Sequence, residues 1–310
     1  MNVKFSILIP AYKRRFLKDC IDSILCQTYK DFELVIVNDA SPEDLDSVIK
    51  TFNDERIRYF VNEKNCGAVK VVDNWNKCLE YSHGDFVICM GDDDKLDAHA
   101  LETYNKYIEK YPSVDVFHTP SVIIDEDGRD ISVTMKRAEY ESAFSYIRHR
   151  LYGEDQYIGD YCFKRSKLDE IGGFVMIPLA WGSDDLTALY CADKNGMVNL
   201  DTPVFKYRTN NSTITNTGSI RIKMEAFAVM EKKVSEFLYT NKGDTELERL
   251  ERVAVLRKLE NHWFLEKSLT LSEDLKGNCF RAFRWLFNRK NYNLGIKHII
   301  AGLILSFRGK

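Results

Sequence analysis

Residues 86–94 have the sequence Phe-Val-Ile-Cys-Met-Gly-Asp-Asp-Asp, in which a short apolar run leads directly into three consecutive aspartates. An apolar run of this length that ends at a glycine is typical of a buried β-strand. Asp92, Asp93 and Asp94 would then stand at the carboxyl end of that strand. Parallel sheets bind their ligands beyond the carboxyl ends of the strands, so this stretch predicts both a buried strand and a charged site at its end.

The residues on either side of this stretch alternate apolar runs with helical patterns. We predict strands at 4–9, 32–37 and 57–61, and helices at 16–27, from Ser41 onward with Ser41 as N-cap, at 68–81 and at 97–111. Such alternation indicates right-handed βαβ units, and therefore an α/β fold with a mostly parallel sheet flanked by helices. The segments 10–14, 38–41 and 91–94 each follow a strand, so we expect them to meet along one edge of the sheet.

The regular alternation stops after residue 124. The pattern predicts a hairpin turn at 125–128, helices at 140–151 and 184–194, and strands at 157–163 and 204–207. Residues 208–219 are polar and predict an exposed mobile loop. From residue 220 onward only helical patterns occur, which predicts a helical C-terminal extension.

The composition is that of an ordinary globular protein, with 45% hydrophobic and 29% charged residues in a chain of 310. The eight cysteines include no C-x-x-C pair, which favours buried free thiols in a reducing compartment over zinc or disulfides. The sequence shows neither a signal peptide nor an apolar run long enough to span a bilayer. We therefore expect a cytoplasmic protein, or one at the inner face of the cell membrane.

The net charge of −3 conceals an asymmetry between the last 35 residues and the rest. Residues 276–310 contain eight Lys or Arg and no Asp or Glu, whereas residues 1–275 contain 36 basic and 47 acidic side chains. The tail also carries an aromatic run at 280–287, and such a cationic aromatic helix favours the surface of an anionic membrane. Packing on the body of the protein, or on a second subunit of a homo-oligomer, is the alternative.

Three adjacent aspartates at the end of an apolar strand repel one another, and this repulsion raises their pKa values. A divalent cation relieves the repulsion, and Mg²⁺ or Mn²⁺ is typically held by one or two carboxylates together with substrate phosphates. The alternative is a solvated acidic turn that caps the helix beginning near Asp97.

The ordered set of motifs resembles the inverting family 2 glycosyltransferases, which have the GT-A fold, over roughly residues 3–210. The motifs are Ser6-Ile7-Leu8-Ile9-Pro10-Ala11-Tyr12, Gln27-Thr28-Tyr29, the strand that ends in Val37-Asn38-Asp39-Ala40-Ser41, Asn65-Cys66-Gly67, Asn74-Trp75-Asn76, Gly84-Asp85 before Asp92-Asp93-Asp94, Ile171-Gly172-Gly173-Phe174, and Gly182-Ser183-Asp184-Asp185. The resemblance implies a GT-A catalytic domain at 1–218, with a nucleotide-binding half at 1–112 and an acceptor-binding half at 113–218. Residues 219–310 would then form the helical C-terminal extension with its basic aromatic tail.

The resemblance also implies a role for each matching residue. Asp94 and Asp93 would ligate a Mn²⁺ or Mg²⁺ ion that bridges the donor diphosphate, and Asp185 would be the general base. Trp181 and Asp184 would contact the acceptor. The alternative for Trp181 is a packing role in the core, and the alternative for the Asp184-Asp185 pair is capping of the helix that begins there. The donor-binding residues would be Pro10, Ala11, Tyr12, Arg14, Asp39, Asn65, Asp92, Asp93 and Arg208.

The implied function is transfer of a sugar, with inversion, from a nucleotide-diphosphate donor such as a UDP-sugar. The acceptor would be a hydroxyl of a glycan or of a lipid-linked saccharide in surface polysaccharide biosynthesis. The alternative is a catalytically silent nucleotide-sugar-binding protein of the same fold. The motifs of a dehydrogenase (G-x-G-x-x-G) and of a P-loop enzyme (G-x-x-x-x-G-K) are missing where they would be needed, and the acidic body disfavours nucleic acid as a partner.

Overall fold

The computed structural model describes residues 5–209 and 219–308. The first part alternates strands and helices in the predicted order. These elements are β1 (Phe5–Ala11), α1 (Leu17–Leu25), β2 (Phe32–Asn38), α2 (Asp46–Ile49), β3 (Ile57–Val61), α3 (Val71–Tyr81) and β4 (Phe86–Cys89). The neighbouring strands pair in parallel, with Ile7 of β1 opposite Leu34 of β2 on one side and Ile88 of β4 on the other. Helices cover both faces of this sheet, so β1, β2 and β4 are buried along almost all of their lengths, whereas β3 at the edge is largely half-buried.

The second part continues the sheet with antiparallel and parallel strands and adds a smaller sheet. Its elements are β5 (Lys95–Leu96), α4 (Ala100–Lys110), β6 (Val116–His118), β7 (Ser121–Ile124), β8 (Asp130–Val133), β9 (Tyr140–Glu141), α5 (Ala143–Leu151), β10 (Tyr161–Lys164), α6 (Arg165–Ile171), α7 (Ser183–Cys191), β11 (Met197–Asn199) and β12 (Phe205–Arg208). In the described residues the large sheet has the order β3-β2-β1-β4-β10-β6-β11-β9, and the smaller one has the order β5-β12-β7-β8. The predicted large sheet flanked by helices is confirmed, and its parallel part is the half that ends in the aspartate cluster.

The last part is helical, as predicted. It contains α8 (Ile220–Thr240), α9 (Glu246–Leu275), α10 (Arg281–Asn288) and α11 (Ile296–Arg308). Helix α9 packs against α5, α8 and α11, and its buried Trp263 belongs to the same apolar core as Phe163 of the sheet. Gly302 lets α11 approach α9 closely, because a Cβ at this position would lie 2.7 Å from the Cβ of Leu271. The C-terminal helices therefore share a core with the α/β part.

Several predicted elements need correction. Helix α2 begins at Asp46 rather than near Ser41, because the Ser41 hydroxyl donates a hydrogen bond to the Tyr12 carbonyl and its backbone N–H donates to Asn38. The predicted helix at 140–151 begins with strand β9, and the predicted strand at 157–163 begins with a 3₁₀ turn at Ile158–Asp160. Strand β11 was missed, because three residues are too few to show a period. Most of the predicted mobile loop at 208–219 lies outside the described residues.

Candidate active site

A cleft of about 840 Å³ opens at the carboxyl ends of the parallel strands. The three segments that follow β1, β2 and β4 meet there, as expected from their positions in the sequence. The backbone N–H groups of Tyr12 and Lys13 each donate to an oxygen of Asp92 at 2.6 Å, and the backbone N–H of Asp39 donates to the Ala11 carbonyl at 2.9 Å. The volume is in the range of small-molecule sites in proteins.

One end of the cleft carries residues that the resemblance assigns to the nucleotide. Pro10, Tyr12, Asp39 and Asn65 all line it. The Asp39 carboxylate accepts hydrogen bonds from the Asn62 amide at 2.8 Å and from the Cys66 backbone at 2.9 Å, so its orientation is set before any ligand binds.

Two of the residues predicted to bind the donor lie elsewhere. The Ala11 side chain is fully buried inside the sheet. Arg14 lies outside the cleft lining, where its guanidinium donates to the Asp44 carbonyl and its backbone N–H donates to Glu43. Donor binding by Ala11 and Arg14 therefore stays a prediction that the cleft lining does not support.

The aspartates of the cluster have different hydrogen-bond partners, which the sequence alone does not specify. Asp92 holds the loop after β1 through the two backbone hydrogen bonds given above. Asp94 is buried, and its two oxygens accept from the backbone N–H groups of Arg208 at 3.0 Å and Gly91 at 3.2 Å. Burial and the neighbouring Asp93 raise the pKa of Asp94 well above its usual range, and burial together with Asp93 raises the pKa of Asp92 to about 6. Ionising these carboxylates together is therefore unfavourable unless a cation lies beside them.

The chemistry of these carboxylates fits a hard divalent cation. A Cβ added at Gly91 would lie 2.8 Å from an oxygen of Asp94 and 2.9 Å from an oxygen of Asp93, so both oxygens converge beside this glycine. No group of three or more His, Cys, Asp or Glu side chains suited to holding a metal occurs within residues 5–209 and 219–308. Two carboxylates fit the way Mg²⁺ and Mn²⁺ are bound together with substrate phosphates, whereas an all-protein cage would need more ligands.

Arg208 lies behind the aspartate cluster, outside the cleft lining, and holds the backbone of the cluster in place. Its side chain is 1% exposed and donates to the carbonyl oxygens of Asp93 at 2.8 Å and of Asp125 and Glu126 at 3.1 and 2.9 Å. The predicted contact of Arg208 with the donor phosphates is therefore corrected to a structural role. The guanidinium connects the aspartate turn to the β7–β8 hairpin because strand β12 lies between them.

The Asp184-Asp185 pair at the start of α7 also lines the cleft. Asp185 faces the guanidinium of Arg150 from α5, with Nε 2.6 Å from one carboxylate oxygen and a terminal nitrogen 3.0 Å from the other. Burial, and next the charge of Asp185, raise the pKa of Asp184 to about 8. The two carboxylates thus have different environments: Asp185 is matched by a cation, whereas ionisation of Asp184 is disfavoured.

Aromatic residues form the wall beside this pair. Trp181 lines the cleft, and its ring lies 6.0 Å from that of Phe227, which lies 6.1 Å from that of Trp263. Tyr157 also lines the cleft and stacks on Tyr207, whereas Tyr161 is fully buried. His118 is likewise buried and hydrogen-bonded to Asn199, as expected for a structural histidine.

Sequence reasoning missed the contribution of α5, α8 and α9 to this wall. Arg150, Phe227, Met230, His262, Trp263 and Glu266 line the cleft, although they lie far along the chain from the aspartate motifs. His262 and Glu266 are one helical turn apart, so their spacing places them on one face of α9. Nothing in that spacing shows that the face borders a cleft.

Comparison with known proteins agrees with this arrangement. A family model described as glycosyl transferase family 2 matches residues 6–173. The chain is 35% identical over 103 residues to a GalNAc(5)-diNAcBac-PP-undecaprenol beta-1,3-glucosyltransferase of Campylobacter jejuni, a match that covers 32% of this chain and 33% of that protein. It is 33% identical over 111 residues to glycosyltransferase GlyA of Streptococcus pneumoniae, which covers 35% of this chain and 15% of that protein. The chain therefore matches a third or less of the length of these curated relatives.

Among solved structures, the chain is similar to residues 1–349 of S. aureus TarS. The TM-score is 0.70 at 16% identity, and the match covers 99% of this chain and 92% of that one. This similarity extends the shared fold beyond the family model to the C-terminal helices. The family match spans more than half of the chain and includes the Asp92–Asp94 cluster, so the chain belongs to glycosyl transferase family 2.

Proposed function

We propose that this protein transfers a sugar, with inversion, from a nucleotide-diphosphate donor to an acceptor hydroxyl. The observation that carries the proposal is the pairing, in one cleft, of the Asp92–Asp94 cluster with the Asp184-Asp185 pair. A UDP-sugar is the proposed donor, because Asp39 presents an oriented carboxylate where the resemblance places the nucleobase. A crystal structure of TarS in complex with UDP-GlcNAc supports this choice, since the chain shares that fold.

The proposed cofactor is Mn²⁺ or Mg²⁺, held by Asp94 and Asp93 together with the donor diphosphate. When bound there, such an ion would supply positive charge to stabilise the departing diphosphate. Asp92 and Arg208 would keep the two ligands in place through the backbone contacts already described.

The chain's own residues would carry the remaining steps. Asp185 would accept the proton of the acceptor hydroxyl while that oxygen attacks the anomeric carbon and the bond to the diphosphate oxygen breaks. The attacking oxygen comes from the side of Asp185, opposite the diphosphate, so the configuration at the anomeric carbon inverts. Arg150 would orient the carboxylate of Asp185, and Asp184 and Trp181 would contact the acceptor.

The proposed acceptor is a glycan or a lipid-linked saccharide in surface polysaccharide biosynthesis. The name of the C. jejuni relative describes a glucosyltransferase that acts on an undecaprenol-linked saccharide, which supports an acceptor of this class.

A panel of nucleotide sugars tests the proposed donor. With Mn²⁺ present, we expect one UDP-sugar to raise the thermal midpoint and to be hydrolysed slowly to UDP in the absence of acceptor, because water can replace the acceptor hydroxyl. At a concentration 100 times Kd, binding stabilises the protein by about 2.7 kcal/mol, which differential scanning fluorimetry detects readily. Matched ADP-, GDP- and CDP-sugars serve as controls. A panel in which no nucleotide sugar shifts the midpoint or is hydrolysed would contradict the proposal.

We also propose that the C-terminal tail brings the protein to the inner face of an anionic membrane. No helix in the described parts of the chain has the length and apolarity needed to cross a bilayer. Instead, α10 and α11 expose apolar side chains beside the basic ones, and this segment contains no acidic residue. The exposed tail stripe consists of Phe280, Phe283, Phe287, Ile296, Ile300, Ile304 and Phe307, each at least 51% exposed. Apolar insertion combined with basic side chains suits anionic lipid headgroups.

Placing two carboxylates in the tail stripe tests the membrane proposal. We expect Phe283→Glu/Phe287→Glu to weaken binding to vesicles of phosphatidylglycerol and phosphatidylcholine by at least about tenfold, because burying each phenylalanine contributes about 1.5–3 kcal/mol. Co-sedimentation with vesicles measures the change, and Tyr239→Glu, an exposed position on α8, is the matched control. Equal vesicle binding by the two variants would show that the tail stripe does not bind the membrane. A wild-type dimer that dissociates in the double variant would assign the tail stripe to a subunit interface.

A further inference from the structure

Helix α9 lies outside the part of the chain that the family model matches, yet it borders the cleft. Its residues His262, Trp263 and Glu266 contribute to the lining. Helix α9 reaches this position because it packs on α5, the helix that carries Arg150. Arg150 and Asp185 line the same cleft as these α9 residues.

The aromatic rings in this wall form a continuous row. Trp181 contacts Phe227 edge to face, and Phe227 contacts Trp263 in a tilted arrangement. Lys223 covers one side of Trp181, with its Nζ 4.8 Å from the ring centroid. Aromatic rings pack against the apolar C–H faces of pyranose rings. Aliphatic side chains make such contacts with less specificity.

Glu266 adds a polar group to this apolar wall. Its side chain is half-buried, and burial raises the pKa of its carboxyl. Within residues 5–209 and 219–308 its carboxylate makes no hydrogen bond or ion pair, so it is open to a ligand or to water in the cleft. Arg150, the cation that acts on it, is engaged by Asp185. A ligand that supplies hydroxyl donors would satisfy this carboxylate.

We propose that Glu266 and the aromatic row of Trp181, Phe227 and Trp263 form a subsite for the hydroxyl-bearing pyranose ring of the acceptor. Trp181, the partly exposed end of the row, contacts the face of the ring with Phe227 and Trp263 packed behind it, and Glu266 accepts hydrogen bonds from its hydroxyl groups. His262 also lines the cleft, and its ring centroid lies 4.9 Å from that of Trp263. This inference rests on the proposed glycosyl transfer, and it assigns acceptor selection to the C-terminal helices.

Direct binding of simple glycosides tests the subsite. The probes are p-nitrophenyl β-glucopyranoside, β-galactopyranoside and N-acetyl-β-glucosaminide, each with the full chain, UDP and Mn²⁺, observed by saturation-transfer NMR. We expect the wild type to saturate the ring protons of at least one probe. Glu266→Gln should weaken that binding on the order of tenfold, because hydrogen bonds to a charged acceptor are stronger than those to a neutral one. Glu266→Asp should recover part of the affinity, whereas UDP binding should stay within about twofold in both variants.

The matched control is Glu273→Gln, an exposed position on the same helix. Trp263→Phe, which keeps an aromatic ring in place, provides a second test and should also weaken glycoside binding with unchanged UDP affinity. The subsite is overturned if the wild type binds none of the probes while UDP is bound, or if Glu266→Gln and Glu273→Gln bind the probes equally. Failure of the wild type to bind UDP or any nucleotide sugar would instead count against the proposed transfer, so the two failures are distinguishable.

Discussion

Replacing Asp94 by asparagine is expected to reduce sugar transfer by about 10²–10³-fold or more, because the substitution removes a charged group that stabilises the departing diphosphate. Asparagine keeps one oxygen that can accept from the Arg208 backbone, loses the longer bond from Gly91, and removes the repulsion with Asp93. We therefore expect the variant to fold with a thermal midpoint at least equal to that of the metal-free wild type. Initial rates of UDP release measure the effect.

Metal removal provides the companion measurement. Wild-type activity should fall on treatment with EDTA and return when Mn²⁺ is added, whereas the Asp94→Asn variant should not recover. Asp31→Asn, a substitution at an exposed position near β2, serves as the control and should behave as wild type. Full activity of Asp94→Asn, or wild-type activity that is insensitive to EDTA, would show that the aspartate turn is not a metal site and would favour the acidic-cap alternative.

Replacing Asp185 by asparagine is expected to lower transfer by about 10²–10⁴-fold while leaving the affinity for the donor within about twofold. The amide cannot accept the acceptor proton, and Asp185 is not among the residues proposed to hold the diphosphate. Single-turnover transfer measures the loss, and titration with UDP measures the donor affinity. Retained binding with lost transfer would also separate the enzyme from the catalytically silent alternative.

The ion pair with Arg150 requires a second variant. Asp185→Asn leaves the largely buried guanidinium without its carboxylate, and breaking a buried pair costs about 3–5 kcal/mol. The double variant Arg150→Gln/Asp185→Asn should restore stability without restoring transfer. Asp184→Asn is the informative comparison, because the raised pKa of Asp184 makes it the other candidate base. If Asp184→Asn abolishes transfer and Asp185→Asn does not, the general base is Asp184.

The parallel half of the fold could be predicted because its information is local. Apolar runs such as those of β1, β2 and β4 specify strands buried on both faces, and chain connectivity then places their carboxyl ends at one edge. This is why Tyr12, Asp39 and Asp92 were expected to meet before any contact was known. The irregular half was harder, because strands of two or three residues such as β9 and β11 do not establish a period.

The roles of the arginines depended on information that the sequence does not contain locally. Arg208 follows a strand and could equally have faced a phosphate, but the pairing of β12 with β7 buries it under the aspartate turn. Arg150 lies in an ordinary helical pattern, and its contact with Asp185 spans 35 residues along the chain. Neither the charge of a long side chain nor its place in a helix or strand pattern determines which partner it contacts.

The sequence by itself determined the family, the parallel sheet and the presence of three aspartates at a strand end, because each is written in consecutive residues or in a short period. Only the tertiary structure decided that Asp92 holds a loop, that Arg208 is structural, and that α9 places Glu266 and Trp263 beside the Asp184-Asp185 pair. A helical period shows which face of a helix is apolar but not whether that face meets a core or a cleft. The packing of α5, α8 and α9 decides this, and the same packing forms the wall that we assign to the acceptor.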